Sequence, residues 1–276
     1  MRFILIFLIA FFTSVYNPLS AQKYRNGITE FGIFLGGGNY FGDLAPEIVL
    51  NETKPAFGIY QKTHHTKYFS SRYQLLYTQI SGDDKNFKSN AYRNIKFKSD
   101  IVEMSYISEF NFKPYGINVK EGKSTFFVFG GISLFYFNPQ RKINDKDFLD
   151  LRDFGTEGQN INRKRKYPLI QPAIILGIGQ KMNLGRKWVL GLEIGFRKTF
   201  TDYLDDTKNV YVDYATINRM QGNSAGYLSH PETLNNNQPI QAGTMRGDAH
   251  LKDWFFTFGI TLSKRKVELQ PCSSSL

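Results

Sequence analysis

The stretch KWVLGLEIGFRKTFTDYLDD, Lys187 to Asp206, decides the fold. Trp188, Leu190, Leu192, Ile194 and Phe196 occupy one parity, and Gly191, Glu193, Gly195, Arg197 and Thr199 occupy the other. Successive side chains of an extended strand point to opposite faces, so this segment has one wholly apolar face and one of glycine, hydroxyl and charge. A soluble strand buries its apolar face in a protein core, whereas a membrane strand turns it toward hydrocarbon. The rest of the chain distinguishes the two.

At the N-terminus, Arg2 precedes an apolar run from Phe3 to Phe12, followed by a small and polar stretch ending Leu19-Ser20-Ala21-Gln22. This is the layout of a secretory signal peptide over residues 1–22, with cleavage expected near Ala21 or Gln22. About ten strongly apolar residues are too few for a spanning helix, which needs about 20. No Cys follows the cleavage point, so no lipid-modified N-terminus is expected. Residues 23–276 then form one exported domain with a short C-terminal tail over 264–276. Cys272 is the sole cysteine, so no intramolecular disulfide can form. The net charge of +11 calls for an anionic partner, and export makes nucleic acid the wrong one.

Past residue 22 no window is long and apolar enough for a transmembrane helix; the nearest, STFFVFGGISLFYF at Ser124–Phe137, is short and contains two glycines. Eight segments read instead as strands: Glu30–Tyr40, Pro55–Lys62, Tyr68–Ile80, Ser99–Phe112, Thr125–Phe137, Tyr167–Met182, Lys187–Phe200 and Asp253–Ser263. Alternation recurs clearly in SDIVEMSYISEFNF and DWFFTFGITLS. The connections alternate long and short: Phe41–Lys54, Ser81–Lys98, Asn138–Lys166 and Thr201–Lys252 are long, while those near His64, near Tyr115 and at Asn183–Arg186 are short. An even number of antiparallel strands with turns at one end and long loops at the other is the plan of an outer-membrane β-barrel. The fold expected is therefore all-β, an eight-stranded antiparallel transmembrane barrel with short periplasmic turns and long extracellular loops.

Eight strands enclose a space that their own side chains fill, so a plugged lumen is expected rather than a pore. Charge parity agrees with this. Arg72, Glu103, Glu109, Lys181, Glu193 and Arg197 all fall on the small or polar side of their strands, and are expected to neutralise one another inside. A one-residue slip of the seventh strand would turn Glu193 and Arg197 toward lipid, where an Arg at the midplane costs about 2–4 kcal/mol.

Other motifs carry less. LGGGNYFGDL at Leu35–Leu44 and LGIGQK at Leu176–Lys181 lack the Gly-Lys-Ser/Thr ending and the following helix of a phosphate loop. The pair His64 and His65 falls in an expected short turn without further ligands at metal spacing. Ser229-His230 and His250 offer a hydroxyl and imidazoles but no Gly-x-Ser-x-Gly, so no catalytic residue and no cofactor is assigned. Asp202, Asp205 and Asp206 lack calcium-loop spacing and are expected to form a solvated acidic rim. NRKRK at Asn162–Lys166 reads as a basic outer rim suited to lipopolysaccharide, and Asn209–His250 as a mobile or partner-binding loop.

GIFLGGGNYFGDL, SDIVEMSYISEFNF, FFVFGGISLFYFNP, FGTEGQN and LGLEIGFRKTFTDYLDD, in this order and spacing, resemble the PorG-like family of Bacteroidota outer-membrane β-barrels, from about Glu30 to about Leu262. The resemblance implies a non-enzymatic accessory barrel of the type IX secretion system, which exports proteins and in some members supports gliding motility, in contact with a periplasmic ring of protein subunits. It carries no catalytic residues. Outer-membrane barrels commonly end on an aromatic residue, whereas this chain continues KRKVELQPCSSSL. Lys264, Arg265 and Lys266 are accordingly expected on a periplasmic docking surface. An adhesion barrel acting through its long outer loops, and a lipid-modifying enzyme using His230 or His250, are the competing expectations.

Overall fold

The computed structural model describes residues 28–115, 122–143, 148–159, 161, 165–235, 237–248 and 252–266. The signal peptide, Cys272 and His250 lie outside the described residues. The strands are β1 (Thr29–Phe41), β2 (Lys54–His64), β3 (Phe69–Asp83), β4 (Lys96–Asn111), β5 (Ser124–Lys142), the three-residue β6 (Phe148–Asp150), β7 (Ile170–Leu184), β8 (Trp188–Thr199) and β9 (Trp254–Lys266). Neighbours pair in the order β4-β3-β2-β1-β9-β8-β7-β5, and β4 also pairs with β5, so eight antiparallel strands close on themselves. The ninth, β6, only extends the end of β5, where Gln140 faces Asp150.

Closure satisfies every strand edge, which an open sheet in hydrocarbon could not do. The chain enters at Thr29 and leaves at Lys266, and these two residues are paired partners, so both ends of the barrel wall lie at the short-turn end. The other mouth carries the described residues of 42–53, 84–95, 143–169 and 200–253.

Parity sorts as the sequence requires. On β8, Leu192 is 55% exposed and Phe196 39%, while Arg197 is 3% exposed. On β4, Val102, Met104 and Phe110 face out and Glu103, Ile107 and Glu109 face in. The outward face of the long strands is thus predominantly Ile, Leu, Val, Phe, Met and Tyr, which water would penalise around the whole circumference. The 12 residues of β8, tilted about 40°, rise about 30 Å, the thickness of a bilayer's hydrocarbon. This is a membrane-spanning barrel, and among the described residues no helix is long and apolar enough to cross.

Two expectations from the sequence are corrected here. The last strand does not stop at Ser263 but runs through Lys266, so Lys264, Arg265 and Lys266 belong to the wall and not to a tail. The stretch expected as a mobile or partner-binding loop is in part helical: its described residues form α2 (Tyr214–Gln221) and α3 (Asn223–Ser229), followed by a 3-10 turn at Pro231–Asn235. A further short helix, α1 (Leu151–Phe154), follows β6.

The wall's polarity gives a depth-dependent prediction. Ile194→Arg, on the outer face near the middle of β8, should lower unfolding free energy in bilayers by about 2–4 kcal/mol, whereas Trp188→Arg at the strand end should cost about 0–1 kcal/mol. Denaturant titration of the vesicle-folded barrel, followed by heat-modifiable gel mobility, measures both; equal costs would contradict the placement of the belt.

Candidate functional site: a sealed lumen and its cap

The inward parity gathers an ionic network along the barrel axis. Arg72 Nη1 lies 2.7 Å from Glu193 Oε2 and Arg72 Nε 3.5 Å from Glu109 Oε1. Lys181 Nζ is 2.9 Å and Lys62 Nζ 3.0 Å from Glu109 Oε2, so one carboxylate meets three cations. Arg197 Nη2 donates to Glu103 Oε1 at 3.1 Å, and its Nη1 to Thr257 Oγ1 at 2.6 Å and the Gly195 carbonyl at 2.7 Å. The structure therefore brings together all six residues that charge parity singled out.

Four further members were not foreseen. Glu30 accepts from Arg265 Nε at 2.8 Å and from Ser263 Oγ at 3.1 Å, with His64 Nε2 3.0 Å away. Arg265 is therefore 3% exposed and faces the lumen, so the expectation that it belongs to a docking surface is wrong for this residue. Its parity follows from Thr261 and Ser263, the inward positions before it. Lys264 and Lys266, of opposite parity, do face out, and Lys264 sits 5.7 Å from the Trp188 ring. His64 ends β2 rather than lying in a turn, and its Nδ1 is 2.8 Å from Ser70 Oγ. Lys62, next inward position before His64, completes the set.

The lumen thus holds Glu30, Glu103, Glu109 and Glu193 against Lys62, Arg72, Lys181, Arg197 and Arg265, all but Glu193 less than 4% exposed. Aromatic rings fill the space between the charges. The Arg72 guanidinium is 5.3 Å from the rings of both Tyr60 and Phe129, and Lys181 Nζ 4.7 Å from Phe127. Gly177 and Gly179, from LGIGQK, make room for those phenylalanines: a Cβ on either would overlap Phe129 or Phe127. At the short-turn end Tyr115, 1% exposed, closes the bore, donating to Asn183 Oδ1 at 2.5 Å beneath the Arg265 guanidinium.

The opposite mouth is closed by an apolar layer and then by folded loops. Phe97, Ile101, Phe135, Phe137 and Phe255 from the strand ends pack with Leu44, Leu151, Leu204 and Leu228 from the loops. Above this layer, Arg93 makes a bidentate pair with Asp84 at 2.6 and 3.1 Å and donates to the Arg246 carbonyl at 2.8 Å, joining two loops. Arg246 Nη1 in turn donates to the Asp206 carbonyl at 2.7 Å and to Glu157 Oε1 at 3.3 Å. Glu157 also accepts the backbone N–H groups of Lys208 and Asn209 at 2.7 and 3.0 Å. The motifs FGTEGQN and TDYLDD, over 40 residues apart in sequence, therefore meet as one tie across the mouth.

Asp202, Asp205 and Asp206 are not a solvated rim, since each is at most 1% exposed. Asp206 accepts from Tyr167 Oη at 2.7 Å and from Thr156 Oγ1. Burial raises its carboxyl to about 6, against the lowering effect of Arg246. Asp205 Oδ2 and Asp253 Oδ1 lie 2.8 and 2.9 Å from the single hydroxyl of Tyr40. One hydroxyl hydrogen serves one acceptor, so the second contact requires a proton on one of the two carboxyls. Burial pushes both well above the usual carboxylate range, helped by repulsion from Asp253 at Asp205 and from Asp202 at Asp253. Asp202, facing Lys252 at 3.8 Å, is pushed by burial to about 7.

Among the described residues, the groups weighed from sequence are engaged elsewhere. The glycines of LGGGNYFGDL lie inside β1, where Gly36 and Gly38 pair with Gly259 and Thr257 of β9, so their backbone is committed to the sheet. Ser229 Oγ donates to the Thr156 carbonyl, and His230 is held by Glu232 Oε1 at 3.0 Å and the Val212 carbonyl at 2.7 Å. Among the described residues no group of His, Cys, Asp and Glu is arranged to hold a metal ion.

Two predictions follow from these geometries. Arg197→Met leaves Glu103 charged and unpaired in the wall, and should cost about 3–5 kcal/mol of folding stability, most of it recovered in Arg197→Met/Glu103→Leu; a single variant as stable as wild type would show the pair to be dispensable. For Asp202 the sign is set by a carboxyl raised above its unfolded value: its stabilising protonated form is complete near pH 4 and is lost as pH rises through about 7. Asp202→Asn should therefore match wild type in thermal midpoint near pH 4 and exceed it above pH 7, and the reverse order would contradict the burial of this carboxyl.

The chain overlays on solved barrels. Ail, the attachment invasion locus protein of Yersinia pestis, aligns at 7% identity and a TM-score of 0.42, over 88% of this chain and 100% of Ail. OprG from Pseudomonas aeruginosa aligns at 8% identity and 0.42, over 88% and 98%, and the N-terminal β-barrel domain of Pseudomonas aeruginosa OprF at 10% and 0.34, over 86% and 98%. No curated protein matches the sequence. Residues 6–228 match the family described as Domain of unknown function (DUF6089), and the chain belongs to that family.

Proposed function

We propose that this barrel is a non-enzymatic outer-membrane component of a protein export machine, acting as an anchor between the membrane and periplasmic subunits. The observation that carries the reading is closure at both ends: an ion-paired, ring-filled lumen, Tyr115 at one mouth and the apolar layer with its folded cap at the other. Such a barrel works through its ends and its wall, and its interior is structural. The assignment to type IX secretion, with a role in gliding in some systems, rests on the ordered motifs GIFLGGGNYFGDL through LGLEIGFRKTFTDYLDD. In this reading the short-turn end faces the periplasm and the ring proteins, and the cap faces outward among lipopolysaccharide.

A second reading, a surface-interaction or adhesion barrel, is favoured by one feature of the cap. Its loops are folded yet expose Leu50, Tyr92, Met220 and Met245 toward the outside. A preorganised surface with exposed apolar side chains suits partner binding.

Deletion of the gene separates the two. Loss of large secreted proteins from the medium, with the surface otherwise normal, is expected for the export component; unaltered secretion with lost attachment would replace that reading with the second. Co-purification of the tagged barrel from outer membranes, with periplasmic subunits in the eluate, provides the biochemical counterpart.

A further inference from the structure

We infer that the rim of the short-turn end binds the anionic phospholipid headgroups of the leaflet that surrounds it. The inference rests on the membrane-spanning reading of the wall and not on the export role.

Among the described residues the exposed charge at this rim is of one sign. Lys113 and Lys123 flank the β4–β5 turn, Arg186 and Lys187 form the β7–β8 turn, and Lys264 lies on the outer face of β9; all five are exposed. The β2–β3 turn adds Lys67, so each turn contributes at least one cation. Among the described residues of this end the only carboxylates are Glu30 and Glu109, both fully buried in the lumen. The other mouth is built differently: Lys54, Lys96, Lys166 and Lys252 there lie 3.1–4.0 Å from Glu52, Asp83, Asp153 and Asp202. These four cap cations are paired locally, whereas Lys113, Lys123, Arg186, Lys187 and Lys264 of the short-turn rim lie within ion-pair distance of no described carboxylate.

Geometry selects the counter-charge. The cations recur around the whole circumference at one level, beside exposed Tyr68, Phe112, Phe126 and Trp188, the aromatic side chains that mark the boundary between hydrocarbon and headgroups. Lys264 lies beside the Trp188 ring on the outer wall, directed to the side rather than along the axis. An encircling layer of phosphates at headgroup depth meets every one of these side chains, whereas a protein seated on one flank meets a fraction of them. Basic side chains near an anionic leaflet attract it strongly, and salt weakens the attraction.

The chain's two tryptophans supply the probe, since Trp188 sits at this rim and Trp254 at the opposite end of the wall. The full-length mature barrel carrying Trp254→Phe is folded into phosphatidylcholine vesicles containing phosphatidylglycerol, with bromine on the acyl chains of either one lipid or the other at equal mole fraction. Trp188 should be quenched several-fold more by the brominated anionic lipid at low salt, with the ratio approaching one in high salt. Replacing Lys113, Lys123, Arg186, Lys187 and Lys264 by Ser should abolish the preference while heat-modifiable mobility stays that of the folded barrel. Equal quenching by the two lipids, or a preference that survives the five replacements, overturns the inference. Loss of a periplasmic protein from pull-downs of the five-fold variant, with no lipid preference in wild type, overturns it in favour of a protein contact. Secretion in cells is a separate readout, so failure of the lipid preference leaves the export reading standing, and the reverse.

Discussion

A sheet in hydrocarbon has no tolerable edge, and this requirement organises the molecule. Closing eight strands through β4–β5 and β1–β9 satisfies the backbone, but it also fixes a narrow bore that must be filled. Glycine, rings and paired charges fill it. The same alternation that presents Leu192 and Phe196 to lipid delivers Glu193 and Arg197 to the interior, so the outer belt and the inner network are two aspects of one register. Shifting either would expose the other to the wrong medium.

The network is therefore best understood as packing with charge. Glu109 among Lys62, Arg72 and Lys181 is shielded by three cations and by the Phe127 and Phe129 rings, with Tyr115 closing the way out below. Buried ion pairs contribute little net stability compared with apolar groups of the same shape, because desolvation offsets attraction. Their value lies in what a mispaired strand would cost: any register that separates Arg197 from Glu103, or Arg265 from Glu30, leaves a naked charge in the wall.

The sequence exposed this plan unevenly, for physical reasons. In β4, β8 and β9 large apolar residues dominate one parity through the middle of the strand, so strands, faces and the inward positions of Glu103, Glu109, Glu193 and Arg197 were legible directly. β1 and β2 carry glycines and small residues on both parities, which hid Glu30 and Lys62. His64 and Arg265 were hidden because strands continue past the point where large apolar residues stop; the parity of Lys62 and Ser263 was the available signal. The cap was the least legible part. YATINRMQ is a polar helix with one buried residue, Ile217, and the burial of Asp202, Asp205 and Asp206 depends on Tyr40, Thr156, Tyr167 and Asp253, which are distant in sequence. Local pattern reports alternation; it does not report which loops meet.

The hydroxyl of Tyr40 shared between Asp205 and Asp253 carries a consequence for assembly. The wall can zip together from strand contacts alone, but the mouth cannot be finished until solvent has surrendered a hydrogen ion to this pair. That ion is then as much a building block of the finished lid as any side chain, enclosed beneath it and released only when the lid lifts.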